Sequence, residues 1–248
     1  MEDSRPTLAL HELSWIDVAA HLARDSRLIV PVGALEQHGA HLPLGSNLLI
    51  TERLARDLSE EFQVLRAPTF AFGVAVRSDR AFAGTASIEK KTLHRCMNEL
   101  LSGWERQGVS EFILITAHRH EPHLESLATL VTRRARVRVV EVWDVDISDL
   151  LEAQSAPLHA DEAETSVMLY LYPRLVRMDR ARDFEPPAHV AERYLRGWLP
   201  AHPVGGAGAV GRPTAATAEK GRLIFQRILD AIRRAVFLTP TDLESDTL

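Results

Sequence analysis

Glutamate and histidine side chains, which often bind metal ions together, concentrate in three short segments. The segments contain Glu36, His38 and His41; His118, His120 and Glu121; and His159, Glu162 and Glu164. Imidazole nitrogens and carboxylate oxygens without thiolates suit Zn, Mn or Fe. Each segment alone is modest support, but three of them, each at a predicted strand end or helix start, favour a metal site over chance.

Glu36 and His38 stand two residues apart, just past an apolar run at residues 28–32. On an extended backbone, this spacing points both side chains to the same side, which suits one metal centre or two neighbouring ones. On this pair alone, a polar loop with incidental histidines is the preferred interpretation. If metal is bound, the chemistry is hydrolysis, because a cation lowers the pKa of bound water from 15.7 toward roughly 7, and two cations about 3.5–4 Å apart can share that water.

Apolar runs alternate along the chain with segments of helical periodicity. They predict the strands and helices that position these side chains. Strands are predicted at residues 28–32, 112–115 and 137–142, and in a region at 64–70 that Pro68 interrupts. Helices are predicted from Ser14, around Ile50–Leu58, from Ser87 to Gly108, from Leu124 to Val131, beyond residues 157–164 and from Ala216. This alternation predicts one α/β domain over residues 1–248, with a mostly parallel sheet whose strand-end loops meet at one edge.

Several local sequence features predict helix ends, a loop and two core residues. Ser87 is expected to cap the helix that follows it, and the basic run 133–136 to end the helix before it. Residues 185–213, rich in proline and glycine, are expected to form a long loop over the site. Trp15 and Trp104 lie on apolar helix faces, so we expect them to pack in the core.

The composition argues against several classes of protein. A net charge of −5 gives no basic surface for nucleic acid, and no apolar run is long enough to cross a membrane. The single cysteine, Cys96, has no intrachain partner for a disulfide. The acidic residues 239–248 are expected to form a loose tail. No signal peptide is recognisable, so we expect a cytoplasmic enzyme or binding protein.

Four segments together resemble the creatininase (creatinine amidohydrolase) family, including its mycofactocin-precursor peptidase-like members. The segments are Val32–Leu44, with Glu-Gln-His-Gly-Ala-His at its centre, Phe82–Thr85, His159–Ser166 and Ala216–Arg222. The resemblance implies a three-layer α/β/α fold, a pair of divalent metals and a homo-oligomer, often a hexamer. It also implies a substrate that is a cyclic or linear amide or a peptide.

Placed on the family's pattern, Glu36 would bind one metal, His38 the other, and His118 would join Glu36 on the first. The family's bridging aspartate falls on Asn47. An amide offers a metal its carbonyl oxygen but no negative charge to offset the repulsion between two cations. We therefore expect one of the two metals to bind weakly or to be absent, which gives one or two ions of Zn, Mn or Fe per chain.

The resemblance also implies the remaining metal ligand and the catalytic group. In creatininase proper the second-metal carboxylate falls on His120, whereas in other relatives it falls on Glu164, and both stay candidates. His159 resembles the histidine near the scissile amide, so it is a candidate acid–base group or substrate clamp, and Glu164 is the second candidate catalytic residue. The predicted function is hydrolysis of a C–N amide bond by a metal-activated hydroxide.

Departures from the family's pattern leave a second hypothesis open. Asn47, Arg119 in place of a glycine and Asp79 in place of a histidine are compatible with a different substrate, a single-metal enzyme or lost catalysis. The alternative is therefore a catalytically degenerate member that binds a small ligand or a partner. A metal-free sugar- or nucleotide-binding protein is the least favoured hypothesis.

Other polar residues of these segments have structural interpretations. His41 is expected to make a structural hydrogen bond, and Asp161 and Glu162 to be charges in the first turn of a helix. For the segment Glu219–Arg222, a salt bridge and close helix packing fit as well as a functional role.

Overall fold

The computed structural model describes residues 7–152, 154–196, 198–199 and 207–238. Its sheet has four parallel strands in the order β2-β1-β3-β4. The strands are β1 (Arg27–Pro31), β2 (Leu65–Arg66), β3 (Glu111–Thr116) and β4 (Arg136–Glu141). The helices are α1 (Trp15–Leu22), α2 (Ser46–Phe62), α3 (Lys90–Arg106), α4 (Glu121–Ala128), α5 (Glu162–Leu171), α6 (Ala188–Leu195) and α7 (Ala218–Ile232). The tail predicted at 239–248 lies outside the described residues.

The two faces of the sheet are covered by different sets of helices. Ile29 and Ile113 point into a buried cluster with α2, α5 and α7. Their neighbours Leu28 and Phe112 point into a second cluster with α3 and α4. Because successive side chains of a strand alternate between faces, the wholly apolar strands serve both layers. The predicted three-layer α/β/α fold is confirmed.

Two predicted helix boundaries are wrong, because the residues expected to form them make other hydrogen bonds. Helix α3 begins at Lys90, and the Ser87 hydroxyl instead accepts the Ala75 N–H at 3.0 Å. Helix α4 ends at Ala128, before the basic run. The carboxylate of Glu105 instead accepts three backbone N–H groups, those of Arg133, Arg134 and Ala135.

Helix α6 lies within the predicted long loop over 185–213, so that part of the expectation is wrong; residues 197 and 200–206 of this segment lie outside the described residues. Trp15 is also not a core residue, since 79% of it is exposed. Helical spacing predicts an apolar face but does not reveal whether another element covers it. Trp104, by contrast, is partly buried and packs against the second core cluster. Among the described residues, no helix combines the length and apolar character needed to cross a membrane.

Close packing between α5 and α7 fixes the orientation of the helix that follows His159. A Cβ added at Gly221 would lie 1.8 Å from the Ser166 carbonyl oxygen, so the two backbones touch there. The Lys220 ammonium reaches the buried Glu162 carboxylate at 2.6 Å. The structural interpretation of residues 219–222, a salt bridge and close helix packing, is therefore the one that these contacts support.

Candidate metal and active site

Glu36 and His38 lie in the loop after β1 and are completely buried. The loop is closed by a hydrogen bond from the Glu36 N–H to the Leu44 carbonyl at 3.1 Å. His38 Nδ1 lies 3.0 Å from the Glu36 carbonyl oxygen, so Nδ1 carries the proton and donates it. Nε2 is then the nitrogen with the lone pair, and it lies 3.9 Å from Glu164 Oε2.

His118 follows β3 and meets Glu36 at the same edge of the sheet. Its Nδ1 lies 2.8 Å from Glu36 Oε1, and its Nε2 donates to the Val74 carbonyl at 2.9 Å. Asn47, in the first turn of α2, has its Nδ2 3.0 Å from the same Glu36 oxygen and 3.1 Å from His118 Nδ1. The Asn47 amide therefore donates to the Glu36 carboxylate, and its nitrogen also lies beside the His118 imidazole.

His159 and Glu164 enter the site from the segment that begins α5. Glu164 Oε2 accepts the Ala160 N–H at 2.6 Å, and Ala160 has a left-handed φ of 49°. Asp161 caps the helix by accepting the Glu164 N–H at 2.9 Å. The imidazole of His159 lies 4.8 Å from that of His38, centre to centre. Asp161 therefore lies at the helix N-terminus as predicted, where it is the N-cap residue and is fully buried.

His120 and His41 lie at the periphery of this arrangement. His120 Nδ1 donates to the Val74 carbonyl at 2.7 Å, so this oxygen receives both His118 and His120. Burial, together with the charge of His118, lowers the pKa of His120 to about 4. His41 Nε2 lies 2.9 Å from Thr165 Oγ1, which confirms the structural hydrogen bond predicted for it.

Buried polar atoms without hydrogen-bond partners concentrate here. Among the described residues there are six such side-chain atoms, and four are Glu36 Oε2, His38 Nε2, Asn47 Oδ1 and His120 Nε2. An unsatisfied buried polar atom costs about 1–3 kcal/mol, so four in one region indicate a missing partner. All four are lone-pair donors of the kind that a divalent cation accepts.

The donor atoms also converge in space. Glu36, His38 and His159 offer ligand atoms that all lie within 4.8 Å of one another. Glu36, Asn47, His118, His159 and Glu164 line one cavity of about 10 Å³, which has room for about one water-sized sphere. His120 is not among the residues lining that cavity in the part of the chain described. The residues present fit a bound cation.

The charges of the site depend strongly on burial. Burial raises the pKa of Glu36, but the charge and hydrogen bond of His118 outweigh it and hold this pKa well below its usual range. Burial and the charge of Asp161 raise the pKa of Glu164 well above its usual range. A bound cation would reverse that effect, because it favours the charged carboxylate.

Three residues of the site were not predicted as functional from the sequence. Asp79 is fully buried, and its Oδ2 accepts the Tyr194 hydroxyl at 2.6 Å and the Gln37 Nε2 at 2.9 Å. Gln37 stands between two predicted ligands, and Asp79 was singled out only as a departure from the family pattern. No signal marked Tyr194, because its segment was predicted to be a loop.

Comparison with known proteins agrees with this geometry. A sequence model of the family described as creatininase, creatinine amidohydrolase, matches residues 11–236. The chain belongs to the creatininase family. Creatinine amidohydrolase of Pseudomonas putida is 29% identical over 248 aligned residues, which cover 90% of this chain and 95% of that protein. The mycofactocin precursor peptide peptidase of Mycobacterium tuberculosis (strain ATCC 25618 / H37Rv) is 31% identical over 224 residues, 84% of each chain.

Solved creatininase structures share the fold. A structure described as Creatininase Mn is 25% identical and has a TM-score of 0.75, covering 92% of this chain and 98% of its own. A mutant creatininase described as Zn-Zn type is also 25% identical, with a TM-score of 0.76 and coverage of 93% and 98%. The resemblance inferred from the sequence motifs is confirmed, and the chain is a creatininase-family amidohydrolase. Nothing in these similarities favours the catalytically degenerate alternative.

Proposed function

We propose that this creatininase-family amidohydrolase cleaves the C–N bond of a small cyclic or linear amide or of a short peptide. The observation that carries the proposal is the group of four unpartnered, buried lone-pair atoms at the ends of β1 and β3 and the start of α2. Such atoms are costly to bury unless something binds them. The named relatives, which act on creatinine and on a precursor peptide, support this range of substrates.

One or two divalent cations would be held by Glu36, His38 and His118, with Glu164 completing the set. Asn47 would contribute its carbonyl oxygen, and His120 its Nε2, which are both unpartnered. Zinc, manganese and iron all suit these donors, and the relatives' Zn-Zn and Mn structures support the first two. Because Asn47 is neutral, we expect one of the two positions to be weaker.

When bound, a divalent cation supplies Lewis-acid polarisation and lowers the pKa of water. The protein supplies orientation and proton transfer. His159, in the wall of the cavity, is placed to move a proton to or from the scissile amide. Glu164, fixed by the Ala160 N–H, presents its carboxylate to the same cavity. The buried setting excludes bulk water from these groups.

The finer properties of the protein stay predictions. We propose a homo-oligomer, with a hexamer as the form that the family implies, and a cytoplasmic location. Size-exclusion chromatography with light scattering measures the first, and imaging of the tagged protein measures the second.

The experiment that tests the function measures metal and hydrolysis together. Protein is treated with a chelator, dialysed, reloaded with Zn²⁺, Mn²⁺ or Fe²⁺, and assayed by elemental analysis. Hydrolysis is then followed on creatinine, on linear formamides and on short peptides. We expect metal uptake and metal-dependent cleavage of at least one amide. His38→Ala should abolish both, whereas His94→Ala, on the exposed side of α3, should change neither. Cleavage that survives metal removal would contradict the proposal.

A further inference from the structure

Three buried polar residues outside the predicted metal ligands surround the imidazole of His159. Asp79, Gln37 and Tyr194 are each at least 97% buried. Asp79 Oδ2 accepts the Tyr194 hydroxyl and the Gln37 amide, and it lies 3.6 Å from His159 Nε2. A buried carboxylate with two donors on one oxygen is held in one orientation. The arrangement places a carboxyl group in a fixed orientation beside the candidate acid–base residue, and burial raises the pKa of this carboxyl to about 7.

The hydrogen bonds of Gln37 determine which nitrogen of His159 carries the proton. Gln37 Oε1 accepts the Gly39 N–H at 2.8 Å, which fixes the orientation of the amide. Its two amide hydrogens then go to Asp79 Oδ2 and to the Gly208 carbonyl. None remains for His159, so the 3.0 Å contact between the two Nε2 atoms is not a hydrogen bond. His159 Nε2 instead donates to the Gln37 carbonyl at 3.0 Å, and Nδ1 is the nitrogen that can accept a proton.

Tyr194 connects this network to helix α6. Its ring packs in a small apolar cluster with Val76 and Val210, beside Leu158, Ala191 and Leu199. The hydroxyl makes the shortest of the hydrogen bonds to Asp79, at 2.6 Å, and Ser78 adds a longer one at 3.3 Å. The packing of α6 therefore sets the position of the Tyr194 hydroxyl and, through this hydrogen bond, the position of the Asp79 carboxyl.

We propose that Tyr194 is a positioning residue whose hydroxyl holds Asp79, so that Asp79 and Gln37 keep His159 in one tautomer and one orientation. This inference rests on the acid–base role proposed for His159. Tyr194 acts through Asp79 and not on the substrate, although its ring lines the cavity. Loss of the hydroxyl therefore slows turnover and leaves substrate and metal binding unchanged.

The kinetic test uses the metal-loaded enzyme and the substitution Tyr194→Phe, which removes only the hydroxyl. A positioned acid–base group raises the reaction rate by roughly 10²–10⁴-fold, so a less firmly oriented His159 is expected to lower kcat by about 10-fold. KM should change by less than about 2-fold, and metal per chain should stay the same. The double variant with Asp79→Asn should be no slower than Asp79→Asn alone, because both changes break one chain of contacts. Tyr170→Phe, at a half-exposed position on α5, is the matched control.

Several outcomes would overturn this inference. For Tyr194→Phe they are an unchanged kcat, a lowered metal content, or a raised KM with normal kcat, which would indicate a substrate contact. For the double variant, the overturning outcome is a loss of kcat equal to the product of the two single losses.

If the wild type cleaves none of the amides, the proposed function fails but the positioning role can still be measured. Nitrogen NMR of the imidazoles should give the Nε2–H form of His159 in the wild type and a mixture in Tyr194→Phe. The same single tautomer in both would contradict the inference.

Discussion

Replacing Asn47 by aspartate tests whether this neutral amide limits metal binding. Asn47 is buried, and its Nδ2 lies 3.0 Å from Glu36 Oε1. Two carboxylates at that distance repel by about 5–6 kcal/mol at an effective dielectric constant of about 20. The new carboxyl can avoid this by binding a proton, which costs about 4 kcal/mol at pH 7 from an ordinary pKa near 3.9. The charge of His118, whose Nδ1 lies 3.1 Å from Asn47 Nδ2, offsets part of either cost. Metal-free Asn47→Asp should therefore lose at most about 4 kcal/mol of unfolding free energy.

Urea unfolding of the metal-free and metal-loaded forms measures this effect. The loss in the metal-free form should shrink as the pH falls toward 4, because the carboxyl of the unfolded chain then also begins to bind a proton. In the loaded form the loss should be smaller and the metal affinity higher, because the added charge faces a cation. Asn98→Asp in α3, the same change at a partly exposed position, should behave alike in both forms. Equal losses with and without metal in Asn47→Asp would refute the reasoning.

Three further measurements probe packing, pH response and catalysis. Gly221→Ala should lower the unfolding free energy by roughly 1–3 kcal/mol, because its Cβ would meet the Ser166 carbonyl oxygen. The control Gly103→Ala, at an open helical position, should not lower it, and equal effects of the two changes would contradict the close packing. Burial lowers the pKa of His41 from 6.5 to about 4. The neutral imidazole therefore contributes about 3 kcal/mol to the unfolding free energy above pH 6.5, and this contribution is lost as the pH falls toward 4. An unfolding free energy from urea titrations that stays constant over this pH range would contradict the shift. His159→Gln should lower kcat by roughly 10²–10⁴-fold with metal content retained, and loss of metal would assign His159 to the ligand set.

The strands and the loops that follow them could be predicted because their signals are local. The apolar runs at residues 28–32 and 112–115 predict neighbouring buried strands, and they form β1 and β3. Parallel pairing then brings Glu36 and His118 to one edge, where their side chains lie 2.8 Å apart. The motif around Glu36 also contributed to the resemblance that identified the family, whereas the segment around His118 departs from the family's pattern.

The surroundings of His159 could not be predicted, because they depend on contacts between distant segments. Tyr194 is buried by Val76 and Val210, which no pattern near it reveals. Helix α6 has only eight residues in a segment rich in proline and glycine, too short for a clear period. Asp79 was visible in the sequence only as a departure, and its partner Tyr194 lies 115 positions away.

The central claim is that the ends of β1 and β3 and the start of α2 converge on a cation. A crystal of the metal-loaded protein, with diffraction data collected at the absorption edge of the added metal, tests this most directly. We expect an anomalous peak in contact with Glu36, His38 and His118, and a weaker or absent second peak beside Asn47. No peak between these side chains under metal-replete conditions would contradict the account.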